Sequence, residues 1–266
     1  MNQVFDIKRA IQFSRLKLNL NKKFFAISVG GFLGLMFIIT FFFAYNLNNE
    51  NAAISNIFHK VAAITMLYGG ALFFGGRVFI KMNSGAKTIE QLMIPASIFE
   101  KFIVPLLFSS IGWILFTAVS YQLFAMLTNT VWSGIFSLDI PVYNILDIIN
   151  DAHWVPSIKF YFLSHATFFL GSAAFRKYSI PKTALASFLI MLAFFLLGYI
   201  AILLLFGNDL SFGVASAITF SKPEIQEWFT NGGGKLLVKS TYWAVGVVLP
   251  IILYAAAYFK LKEREV

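Results

Sequence analysis

Three histidines, 12 acidic residues and no cysteine limit the chemistry open to this 266-residue chain. Without cysteine there are no thiol nucleophiles, disulfides or cysteine metal sites. His165 stands between Ser164 and Thr167. It could line a polar path, or it could be hydrogen-bonded between helices. Asp147 and Asp151 lie at i, i+4 spacing with His153 just beyond. That spacing admits a metal, but two carboxylates in a wet loop equally suit solvation, and no metal is expected. Asn-Gly-Gly-Gly-Lys at 231–235 suggests a phosphate loop, yet Leu236 follows the lysine where Ser or Thr is needed, and Phe229 holds the first glycine position. No Ser-His-Asp set and no pair of buried carboxylates can be assembled, so the chain reads as a non-enzyme with no catalytic residues.

The elements that carry these residues are apolar. Hydrophobic residues make up 59% of the chain and charged ones only 12%, about half the charge of an ordinary soluble domain. Stretches 24–45, 61–80, 102–127, 155–175, 183–206 and 240–259 approach or exceed the length needed to cross a bilayer as helix. They are too long and too uniformly apolar for barrel strands. The expected fold is all-α: a polytopic six-helix transmembrane bundle, with residues 24–259 as one membrane domain and 260–266 as a cytoplasmic tail. The fourth stretch is the weakest, because Lys159 and Arg176 must snorkel toward opposite headgroup layers.

Placing the amino terminus inside assigns 16 of the 21 Lys and Arg to the cytoplasm. Both termini are therefore expected there. The net charge of +9 orients the chain, and nucleic acid is not an expected partner. Residues 1–23 lack the apolar core and cleavage site of a removable signal, so the first span is expected to act as its own insertion signal. That basic segment reads either as an interfacial elbow helix under the membrane or as a solvated topogenic tail, and the elbow is carried forward. Inside the spans His165 is the one ionisable group well within a core, with Arg77 near the end of the second. So few charges argue against a proton- or sodium-driven carrier. Gly30 with Gly34, and Ala71 with Gly75, form small-xxx-small pairs suited to close packing within the chain or to dimerisation. Ser221 and Glu224 read as a capping box starting a short external helix, which residues 231–234 would end.

Residues 81–101 fall on the cytoplasmic side. Thr88 and Gln91 make one capping box, Pro95 interrupts the helix it begins, and Ser97 with Glu100 repeats the device at the start of the third span. The result is either a short helix across the membrane mouth, shaped for docking, or a plain intracellular turn.

Residues 94–102, Ile-Pro-Ala-Ser-Ile-Phe-Glu-Lys-Phe, resemble the Leu-Pro-Ala-Ser-x-x-Glu-Lys-Phe/Tyr element of a Bacteroidetes group of ABC-transporter permease-like membrane proteins. Ile94 stands where leucine is usual. The opening MNQVFDIKR is similar to the start of those proteins, and the layout resembles that of type-2 ABC exporter permeases, although the external segment 128–154 is long for one. The resemblance implies a permease subunit of an ATP-driven exporter, paired with a second permease as homo- or heterodimer. A separate cytoplasmic ATPase would hold ATP-Mg, and this chain would hold no cofactor. Thr88, Ile89, Glu90, Gln91 and Leu92 would be the docking residues of a coupling helix, followed by Pro95 and Ser97, with Glu100 and Lys101 as the charged anchor of the hinge. The competing expectation is a non-transporting six-span scaffold or sensor that recruits a cytoplasmic partner.

Overall fold

The computed structural model describes residues 5–46, 54–80, 94–137, 140, 143–148, 154–206, 210–212, 218–220 and 233–265. Six helices dominate it. They are α1 (Ile7–Tyr45), α2 (Ile54–Gly75), α3 (Ile98–Phe136), α4 (Trp154–Ala174), α5 (Ser179–Phe206) and α6, which runs from Gly233–Trp243 into Leu249–Glu265. A three-residue antiparallel pair, β1 (Leu210–Phe212) and β2 (Ile218–Phe220), sits between α5 and α6. The chain is an all-α polytopic bundle.

Five helices are long and apolar enough to cross a membrane; α4 is not among them. The reason is where α4 sits. It packs against α2, α5 and α6, and Tyr161, His165, Ala166, Phe169, Ser172 and Ala173 on it are fully buried. A helix surrounded by protein can carry polar residues that lipid would penalise, so its mean hydropathy falls as its burial rises.

Contacts between helices run in consistent directions. Along α1 and α3 they pass from Asp6–Glu100 through Phe25–Phe116 to Phe41–Trp132, so these two 39-residue rods are parallel. Along α2 and α4 they pass from Tyr68–Ser157 through Gly75–His165 to Phe79–Phe169. Along α4 and α6 they pass from Lys159–Trp243 to His165–Tyr254. α1 meets α2 in the opposite sense, from Phe25–Phe74 to Phe43–Phe58, so the α1–α3 pair runs against α2, α4 and α6. One apolar cluster, with Phe79, Phe102, Phe169, Ala173, Ala257 and Leu261 at its centre, closes one end of the bundle. The other, including Met36, Ala62, Met66, Trp113, Tyr121 and Tyr161, fills the rest.

Several boundaries differ from the sequence expectation. The basic segment is not separate from the first span, since α1 is unbroken from Ile7, where Asp6 caps it by accepting from the N–H groups of Lys8 and Arg9. At about 58 Å, this helix is nearly twice as long as a bilayer core is thick. α2 begins at Ile54 and its regular turns end at Gly75, several residues earlier than the stretch 61–80, because His59 and Lys60 lie inside the helix. α3 continues through Thr128, Asn129 and Trp132, which are buried, and this shortens the expected loop 128–154. Gly233 and Gly234 open a helix, where residues 231–234 were expected to end one.

Candidate functional site

At the end of the bundle where α1 and α3 begin, Ser97 and Glu100 form the expected capping box: Glu100 N–H donates to Ser97 Oγ at 3.2 Å, and Ser97 N–H donates to Glu100 Oε2 at 2.8 Å. The other carboxylate oxygen reaches across the bundle. Oε1 accepts from the Asp6 N–H at 2.8 Å and from the Arg9 guanidinium at 3.0 Å. Phe5 meets Phe99 edge-on at 5.7 Å between ring centres, and Phe99 in turn meets Tyr258 of α6. Glu100 lies ahead of the apolar stretch 102–127 and is fully buried. Burial opposes its charged form, but the N–H groups of Asp6 and Ser97 and the Arg9 guanidinium outweigh burial and hold the carboxyl below its ordinary value. Lys101 is also buried, while Pro95 is exposed. Thr88, Ile89, Glu90, Gln91 and Leu92, the expected docking residues, lie outside the described residues.

His165 occupies a second junction, in mid-bundle. Its Nδ1 is 2.8 Å from Tyr254 Oη on α6, and its Nε2 is 2.9 Å from Ser109 Oγ on α3. Ser109 Oγ donates its hydrogen to the Pro105 carbonyl at 2.7 Å, so it accepts from the histidine. In its neutral form His165 is therefore the Nε2–H tautomer, with Tyr254 donating to Nδ1, and both ring nitrogens have a partner. Ser109 belongs to a π turn, Phe108–Gly112, one turn beyond Pro105. Beside it, the Ser110 carbonyl accepts from Tyr161 Oη at 2.9 Å. Gly75 of α2 lets the imidazole close in, for a Cβ there would stand 3.2 Å from Cδ2.

A third junction lies near the start of α2, ahead of the expected stretch 61–80. His59 is buried in α2, with Nε2 2.7 Å from Asn129 Oδ1 and Nδ1 3.2 Å from Tyr121 Oη. Lys159 of α4 is likewise buried, and its side chain runs past Gly246 toward the start of α6, the direction in which it was expected to snorkel. Its Nζ lies 3.3 Å from the centre of the Trp243 ring and 4.0 Å from that of Tyr242. The two histidines do not form one relay. By helical rise along α2, His59 is about 24 Å from the level of His165.

The small-residue pairs divide. Ala71 is fully buried and Gly75 is packed on His165, whereas a Cβ at Gly30 or Gly34 would meet nothing within 4 Å. Arg77 lies over the rings of Phe24 and Phe73, at 4.7 and 5.2 Å. Asp147 falls in a short turn of 3-10 helix, Ile145–Ile148, while Asp151 and His153 lie outside the described residues. Among the described residues no three His, Asp or Glu gather to hold a metal. No family model, curated protein or solved structure matches the chain.

Proposed function

We propose that the chain is the membrane-spanning permease subunit of an ATP-driven exporter of the type-2 ABC kind, working with a separate cytoplasmic ATPase and a second permease in a bacterial inner membrane. The observation that carries this reading is the Glu100 junction. The two segments on which the resemblance rests, residues 1–9 and 94–102, are far apart in sequence, yet Asp6 and Arg9 bond directly to Glu100. A push on residues 88–94 would pass through Pro95 into this buried knot and so reach α1 and α3 together. Both helices would then tilt as one unit, which is how a nucleotide-driven closure would act on the bundle. Orientation follows the excess of basic residues, which puts the Glu100 end in the cytoplasm.

The histidine junctions do not favour a proton-driven carrier. Each imidazole has a bonding partner at both ring nitrogens, and the two stand far apart.

The test is purification of the tagged full chain from its native membrane in mild detergent. A stoichiometric P-loop ATPase supports the permease reading, and recovery with non-ATPase partners alone favours the scaffold or sensor. A Glu90→Lys variant should insert normally and retain the ATPase while transport is lost. Normal transport by that variant, with the ATPase bound, counts against docking at 88–92.

A further inference from the structure

Lys159 is more enclosed than a lysine near the end of a membrane helix usually is. It lies at the end of the bundle opposite Glu100, its residue is only 9% exposed, and Nζ has no hydrogen-bond acceptor among the described residues. Its surroundings are built, however. A Cβ at Gly246 would come within 2.8 Å of the lysine Cδ, so that glycine lets the stem cross α6 at the π turn Ala244–Val248. The rings of Tyr242 and Trp243 stand at 78° to each other, and Nζ sits in the corner they form. An ammonium has three hydrogens to donate, and among the described residues it gives them to no oxygen, only to two π faces. In an apolar setting such a cation calls for an anion.

We propose that Lys159 is the anchoring cation of a binding site for the anionic head, phosphate or phosphodiester, of an acyl-chain amphiphile entering from the lipid side through Tyr242 and Trp243. Those two rings are 40% and 51% exposed and form the lid between Nζ and the membrane. Below them Val245, Val247 and Val248 are exposed and offer an apolar track for the chain. Lys239, one turn before Trp243, is exposed, and residues 233–248 contain no acid. Along this part of α6 the charged side chains are thus Lys235 and Lys239, which suits an anion. A quaternary ammonium head is excluded, because Lys159 already fills the aromatic corner that would take one. The site stands whether or not an ATPase drives the chain.

The experiment uses the full chain in a neutral maltoside detergent, with tryptophan fluorescence as readout. Dodecyl phosphate, inorganic phosphate and dodecyltrimethylammonium are titrated separately. Dodecyl phosphate should give a saturable change that Trp243→Phe largely removes. Its affinity should fall at least tenfold in Lys159→Met and hold within about threefold in Lys159→Arg, a separation of about 0.7 kcal/mol or more between the two variants. The ammonium should give no saturable change. Native mass spectrometry then separates the sources: a phospholipid retained by the wild type and lost from Lys159→Met identifies a bilayer lipid, and a bare chain that binds added dodecyl phosphate identifies a diffusing amphiphile. Equal binding of the anionic and cationic amphiphiles, or unchanged binding by folded Lys159→Met, overturns the proposal. Inorganic phosphate binding as tightly as dodecyl phosphate overturns the role of the chain. If Lys159→Met does not fold, the charge series on the wild type decides alone.

Discussion

Arg9 Nη2 lies 3.0 Å from Glu100 Oε1, though 91 residues separate the two in sequence. The carboxylate is fully buried and the guanidinium is 31% exposed, so this ion pair is neither a surface decoration nor wholly desolvated. It accepts three donors in all, from the backbones of Asp6 and Ser97 and from Arg9. Removing it takes away the acceptor that joins the start of α1 to the start of α3.

Glu100→Ala should therefore lower the stability of the purified chain by about 3 kcal/mol, the low end for breaking a buried pair because Arg9 keeps some solvent. Ser97→Ala removes only the cap and should cost about 1 kcal/mol. Unfolding in mixed micelles titrated with sodium dodecyl sulfate measures both. A double-mutant cycle with Arg9→Ala should show the two sites coupled by more than about 0.5 kcal/mol, and strict additivity would mean the pair is not formed.

Gly70 and Gly30 should respond oppositely to alanine. A Cβ at Gly70 would lie 1.9 Å from the Trp113 indole, whose Nε1 donates to the Leu67 carbonyl at 3.0 Å. Gly70→Ala must push that indole away and should cost about 3 kcal/mol, at the upper end for overpacking. Gly30→Ala meets open space and should be neutral or stabilising by up to about 1 kcal/mol, from relief of glycine's helix penalty. The same unfolding assay compares them.

The imidazole of His165 should show a protonated Nε2 and an unprotonated Nδ1 in its nitrogen-15 spectrum, since Ser109 spends its own hydrogen on Pro105. Tyr254→Phe should cost about 0.6 kcal/mol, within the range of interhelical hydrogen bonds in membranes. Observation of the Nδ1–H tautomer would reverse the bonding direction assigned here.

The capping box at Ser97 and Glu100 was legible because both halves lie within one turn of helix. Its partners Asp6 and Arg9 were not, for nothing local links them to residue 100. His59 was hidden by Lys60, whose charge ended the apolar run where the helix in fact continues. A stripe at helical spacing, His59, Ala62, Met66 and Gly70, all buried, was the signal that could have found it. The course of Lys159 toward the end of the bundle was legible from its charge, but the rings of Tyr242 and Trp243 that enclose it were not, since they arrive from a helix 83 residues later. The six helices themselves were plain, because lipid selects long apolar runs whatever their neighbours.

The central claim is that the Ser97–Glu100 knot faces the cytoplasm, where a partner can push on it. The absence of cysteine makes single-cysteine variants clean reporters. Ala96→Cys should react with a membrane-impermeant maleimide only after cells are lysed, while Leu236→Cys, at a residue 71% exposed near the start of α6, should react in intact cells. Labelling of Ala96→Cys in intact cells would place the knot outside and contradict the account.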